Sequence, residues 1–190
     1  MTNLLQKLSS ANPKVRGTVF IAIDGHGGSG KSSLAQLLGK KLKAEIIHTD
    51  DFASWDNPLN WHPLVIRDVF DPIRAGAVSL NYQPSSWWED HYPAQVKNQP
   101  VTAIMILEGV GSSRREFDAY ISYRIFVDTP KEVCMERGIV RDMNVGKTRG
   151  ELTDIWEKWF ENEKAYMLRD DPKTKADLIV EGTKPFIDQI

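Results

Sequence analysis

Residues 18–33 read TVFIAIDGHGGSGKSS, and the three parts of that stretch decide the fold. Residues 18–24 are a short apolar run, rich in β-branched side chains and stopped by glycine, which is the pattern of a strand buried on both faces of a parallel sheet. Residues 25–32 (GHGGSGKS) are a glycine-rich turn. From Ser33 onward Leu34, Leu37, Leu38 and Leu42 recur at helical spacing, with Lys40, Lys41 and Lys43 near the end where the helix dipole favours cations. Strand, glycine turn and helix in that order open an α/β fold.

The turn fits G-x-x-x-x-G-K-[ST] at every fixed position. Glycines let successive backbone N–H groups curl around a phosphate without Cβ clashes, and the following helix adds its partial positive charge. In such a loop Lys31 reaches the β- and γ-phosphates of a nucleotide and Ser32 offers its hydroxyl to Mg²⁺. The expected cofactors are ATP and Mg²⁺, bound by Gly25, Gly27, Gly28, Ser29, Gly30, Lys31, Ser32 and Ser33.

The same residues support two other readings. Gly25, Gly27 and Gly30 also satisfy G-x-G-x-x-G, and Asp50 lies about twenty residues on at the end of a second strand, which is the dinucleotide fingerprint of an NAD-dependent oxidoreductase. That fingerprint leaves the Lys31-Ser32 pair without a purpose. Thr174, Lys175, Ala176 and Asp177 look like a guanine-reading motif, but they precede a strand instead of following one. A third alternative is a regulatory protein that binds ATP and transfers nothing.

Composition narrows the partners. With 190 residues, 41% of them hydrophobic and 26% charged, the chain suits one domain, residues 1–190, with a full core. A net charge of −2, with Lys and Arg spread along the chain, gives no footprint for a nucleic-acid backbone. The residues before Lys14 lack the apolar centre of a signal peptide, and no run approaches a membrane span, so a cytoplasmic location is expected. The single cysteine, Cys134, reads as a small buried core residue.

Further strands are expected at 45–49 (EIIHT), 101–107 (VTAIMIL), 123–127 (YRIFV) and 177–180 (DLIV), with helices at 64–75, 130–142 and 149–168. Alternating strands and helices imply a parallel sheet covered on both faces. Between 52 and 100 the pattern changes to aromatics, prolines and polar residues, including Trp55, Trp61, Tyr82, Trp87, Trp88 and Tyr92. This reads as an insertion over the carboxyl edge of the sheet, where α/β proteins bind ligands.

Several side chains at that edge suit phosphoryl transfer. Asp50 and Asp51 follow the second strand, where a carboxylate can take a proton from an acceptor hydroxyl or hold Mg²⁺. Glu108 ends the third strand, where a second carboxylate meets the metal through a water. Arg137 and Arg141 stand one helical turn apart and can close together over phosphates. Arg114 lies in the loop after the third strand, at the ligand edge. Trp156, Trp159, Glu163 and Tyr166 recur at helical spacing, which reads as an aromatic stripe packed on the core, with a lid that touches the nucleotide as the alternative. His26, His48, His62 and His91 show no metal-ligand spacing.

Four motifs between residues 21 and 142 carry a family resemblance: IAIDGHGGSGKSS at the loop, TDDF at 49–52, LEG at 107–109, and the Arg137 and Arg141 helix ending in RD. In this order they resemble the uridine kinase and phosphoribulokinase group of P-loop kinases, with pantothenate kinase more distant. The resemblance implies a three-layer P-loop NTPase fold, with a five-stranded, mainly parallel sheet, helices on both faces and a substrate-binding insertion at about 52–100. It implies Asp50 as base, Ser32, Asp50 and Glu108 around Mg²⁺, and Arg137 and Arg141 on a lid at about 137–150. The acceptor is then a small hydroxyl compound held by the insertion, with a nucleoside leading and Asp51, Trp55, Tyr82 and Arg114 as candidate contacts; homo-oligomers are common in the family. The uridine-binding His and Arg pattern of the family is not found after Tyr82, where Trp87, Trp88, Glu89, Asp90 and His91 stand instead.

Overall fold

The computed structural model describes residues 4–54, 57–85 and 95–190. Five strands form one parallel sheet: β1 (Val19–Asp24), β2 (Glu45–His48), β5 (Ile104–Glu108), β6 (Tyr123–Asp128) and β7 (Leu178–Glu181), in the order β2-β5-β1-β6-β7. The strand alternation is legible in the core. Phe20 and Ala22 of β1, with Met105 and Leu107 of β5, face one side. Val19, Ile21 and Ile23, with Ile106, face the other. Each face buries apolar area at roughly 25 cal/mol per Å² and so needs its own helical cover.

Helices α1 (Leu4–Ser9) and α2 (Lys31–Leu42) cover the second face through Leu8, Leu34, Ala35 and Leu38. On the first face lies a helical run made of α3 (His62–Val65), a π turn (Ile66–Phe70) and α4 (Asp71–Ala75), which buries Val65, Val69, Phe70 and Ile73. Trp61, 1% exposed, belongs to the same cluster, so this insertion aromatic is packing. The insertion also contains an antiparallel hairpin of β3 (Ser79–Tyr82) and β4 (Lys97–Pro100) that the sequence reading did not anticipate.

Helices α5 (Lys131–Asp142) and α6 (Arg149–Asp170) pack on each other through Cys134, Ile139, Leu152, Trp156 and Phe160. α6 starts at a capping box: the Thr148 hydroxyl accepts from the Glu151 N–H at 3.3 Å, and the Glu151 carboxylate accepts from the Thr148 N–H at 2.8 Å. Cys134 is buried, and burial pushes its thiol up to about 11, as a core thiol requires. Among the described residues no helix is long and apolar enough to cross a membrane.

Candidate active site

Because the sheet is parallel, all five strand ends that carry the loops point to one edge. β1 delivers the glycine loop, β2 delivers a short turn at Thr49–Asp51, β5 delivers Glu108 and Gly109, and β6 leads into α5. They enclose a cleft of about 390 Å³ lined by the loop, Asp50, Glu108, Arg137, Arg141 and one face of α6. The loop's curl depends on glycine where the backbone is left-handed and crowded. Gly28 has φ +76°, and a Cβ there would run into the Cys134 carbonyl of α5.

Asp24, at the end of β1, is fully buried and anchors this edge. Its Oδ1 accepts from the Gly25 N–H at 2.7 Å and the Gly111 N–H at 3.2 Å; its Oδ2 accepts from the Ser113 N–H at 2.7 Å and the Tyr166 hydroxyl at 2.6 Å. One carboxylate thus ties the glycine loop to the loop after β5 and to α6. Burial pushes its carboxyl above the ordinary range while these donors pull the other way.

Lys31 is 6% exposed, and its Nζ donates to the His26 carbonyl at 2.7 Å. The Ser32 hydroxyl donates to Glu108 Oε1 at 3.2 Å, and Glu108 Oε2 lies 2.6 Å from His48 Nδ1. Burial alone would raise Glu108, but the His48 hydrogen bond and the Lys31 charge outweigh it and hold the carboxyl below its ordinary 4.5. His48 is raised above 6.5, chiefly by its hydrogen bond to Glu108.

These shifts carry a pH dependence. A raised histidine contributes stability that is complete below 6.5 and disappears as pH climbs through its folded value. A depressed carboxyl contributes above 4.5 and loses that contribution as pH falls through its folded value. The pair is therefore strongest between these two pH values. His48→Gln is expected to lose most stability relative to the unaltered chain near pH 5.5, with the difference shrinking by about pH 8.5. Denaturant unfolding at both pH values checks this, and an equal difference at the two would refute it.

Asp50 stands on the cleft wall, reached by solvent, within electrostatic reach of the Glu108 carboxylate. Asp51 turns elsewhere: both its oxygens accept from Lys97 Nζ at 2.8 Å, and Oδ2 also accepts from the Tyr82 hydroxyl at 3.0 Å. Tyr82 is 4% exposed and stacked on Phe52, so neither residue lines the cleft as an acceptor contact. Arg114 is also buried, its Nη1 donating to the Leu59 carbonyl at 2.6 Å and its guanidinium lying over Trp61. The loop was placed at the correct edge, but this side chain turns into the core. Trp55 lies outside the described residues.

Arg137 and Arg141 both line the cleft. Arg137 Nη1 donates to the Gly182 carbonyl at 3.0 Å, while Arg141 pairs with Asp142 at 2.7 Å and lies over the Trp156 ring. The stripe on α6 divides its duties. Tyr166 binds Asp24, whereas Trp156, Trp159 and Glu163 line the cleft. Asp24 and His48 were not picked out from sequence as site residues; Glu163 was, with Trp156 and Trp159, only through the alternative in which the stripe reaches the nucleotide.

The topology also separates the competing readings. A dinucleotide fold in the order 3-2-1-4-5-6 sets the second strand beside the first, so that an acidic residue at its end meets the ribose. Here β5 lies between β1 and β2. Asp177 immediately precedes β7, where its carboxylate accepts from the Arg124 N–H at 2.8 Å, an ordinary role at the entry to a strand.

No family model and no curated protein matches this chain. Solved structures do. A possible uridine kinase from Bacillus stearothermophilus superposes with a TM-score of 0.64 at 16% identity, over 93% of this chain and 94% of that one. A candidate fructose transport system kinase from Silicibacter sp. TM1040 superposes with a TM-score of 0.62 at 17% identity, over 94% and 100%. With the sheet order and the loop geometry, these likenesses show that the chain has the three-layer α/β fold of the P-loop kinases that its four motifs resemble.

Proposed function

We propose that this chain is a small-molecule kinase that transfers the γ-phosphate of MgATP to a hydroxyl group, with nucleosides the leading class of acceptor. The observation that carries the reading is one cleft lined together by Lys31 and Ser32 of the glycine loop, the Asp50 carboxylate, and the guanidiniums of Arg137 and Arg141.

The residues fit the cofactors. The loop is held open by positions where only glycine fits, as a phosphate cradle needs. Ser32, Glu108 and Asp50 line the same cleft as one hydroxyl and two carboxylates, all hard oxygen donors. That suits Mg²⁺, which keeps waters and is bound through one or two carboxylates together with substrate phosphates. Bound MgATP supplies the phosphoryl group and neutralises charge on it as it moves.

The chain's own groups do the rest. Lys31 leaves the His26 carbonyl for the phosphates, and the loop amides orient them. Asp50, on the cleft wall within reach of an incoming hydroxyl, accepts its proton. The guanidiniums of Arg137 and Arg141 balance negative charge in the transition state.

Transfer of labelled γ-phosphate to a panel of nucleosides, sugars and other alcohols tests the reading. Asp50→Asn is expected to lower the transfer rate by roughly 10² or more while leaving affinity for a metal-free, non-hydrolysable ATP analogue unchanged. Equal rates in the two proteins would remove Asp50 as base. Analogue binding with no transfer to any acceptor would favour the non-catalytic ATP-binding alternative.

A further inference from the structure

The His26–Gly27 peptide is gripped from both sides. Its carbonyl accepts from Lys31 Nζ at 2.7 Å, and its N–H donates to Glu163 Oε1 at 3.1 Å. The His26 ring adds a contact from Nδ1 to Glu163 Oε2 at 2.7 Å. Glu163 is 3% exposed and lines the cleft beside Gly27, Gly28 and Lys31.

Its position is set by neighbours on the same helix. A Cβ added at Gly27 would meet the Trp156 ring at 3.0 Å and Glu163 Oε1 at 3.1 Å, so α6 lies directly on the loop. Phe160 packs beside His26 with ring centroids 5.1 Å apart, and Tyr166 is bonded to Asp24. An amide of a loop shaped to hold anions is thus already holding one, and that anion belongs to the chain.

We infer that Glu163 is an internal anion that competes with a polyphosphate for the phosphate loop and so sets how tightly the loop binds it. This rests on the phosphate-loop reading above. A carboxylate a few ångströms from arriving phosphates, in a cleft walled by protein, repels them far more than it would in water. Either it withdraws from the Gly27 N–H or its charge is borne beside the phosphates; both weaken binding.

Glu163→Gln isolates the charge. Glutamine keeps an oxygen for the Gly27 N–H, and its amide can donate to His26 when Nδ1 is the unprotonated ring nitrogen, so no new buried group loses a partner. The full chain and the variant are titrated calorimetrically with a non-hydrolysable ATP analogue plus Mg²⁺, and separately with inorganic tripolyphosphate. The variant is expected to bind both probes about tenfold more tightly, with an unchanged unfolding midpoint. Unchanged or weaker binding by the variant, where the unaltered chain binds, overturns the inference and leaves Glu163 as a strut for the peptide. If neither protein binds either probe, the phosphate-loop reading fails and this inference falls with it.

Discussion

Replacing Lys31 with alanine is expected to slow phosphoryl transfer by roughly 10² to 10³, the usual cost of removing one donor aimed at transition-state charge. The effect is large because Lys31 is 6% exposed and its ammonium sits at the floor of the cleft, where its charge is little screened. Its hydrogen bond to the His26 carbonyl at 2.7 Å shows that the side chain is already extended along the loop. Single-turnover transfer to the best acceptor of the panel measures the loss. A variant within about threefold of the unaltered chain would mean that the loop binds phosphate without Lys31 taking part in the chemistry.

Asp24→Ala is expected to destabilise the fold by about 4 kcal/mol or more, because several buried donors lose their acceptor at roughly 1–3 kcal/mol each. Those donors are the N–H groups of Gly25, Gly111 and Ser113 and the hydroxyl of Tyr166. Domains of ordinary stability hold only about 5–15 kcal/mol in total, so the variant sits close to unfolding. Urea unfolding with an unchanged slope measures the effect. Tyr166→Phe, which removes one donor and leaves the carboxylate, is expected to cost only about 1–2 kcal/mol. A loss below about 1 kcal/mol for Asp24→Ala would show that water replaces the carboxylate without penalty.

The outline of this fold was legible because its signals are local. Residues 18–33 name a strand, a turn and a helix through burial pattern, glycine and leucine spacing, and the structure places β1 and α2 there. The hairpin of β3 and β4 was missed because SLNY alternates over only four residues, too short a run to stand out, and KNQP is polar throughout and ends in proline. At the cleft, sequence located the correct edge but not the direction of each side chain. Asp50 and Asp51 are neighbours in sequence, yet one lines the cleft and the other pairs with Lys97. Arg114 follows the same logic, its guanidinium directed onto Trp61. Glu163 sits 136 residues after Gly27, and its meeting with the glycine loop depends on how α6 crosses the sheet edge, which no local pattern encodes.

The strand order has a consequence for how the chain acquires its shape. β1 and β2 are joined by α2, yet they share no ladder; each pairs with β5, which arrives more than fifty residues after β2. While a ribosome extends the chain, the first two strands therefore wait as unpaired apolar segments until Ile104–Glu108 emerges and slots between them. Loop closure over that span must precede the pairing of β1 and β2 with β5 in the parallel sheet, so folding is expected to be slow for a chain of this length, and its early, unpaired strands are where aggregation would begin.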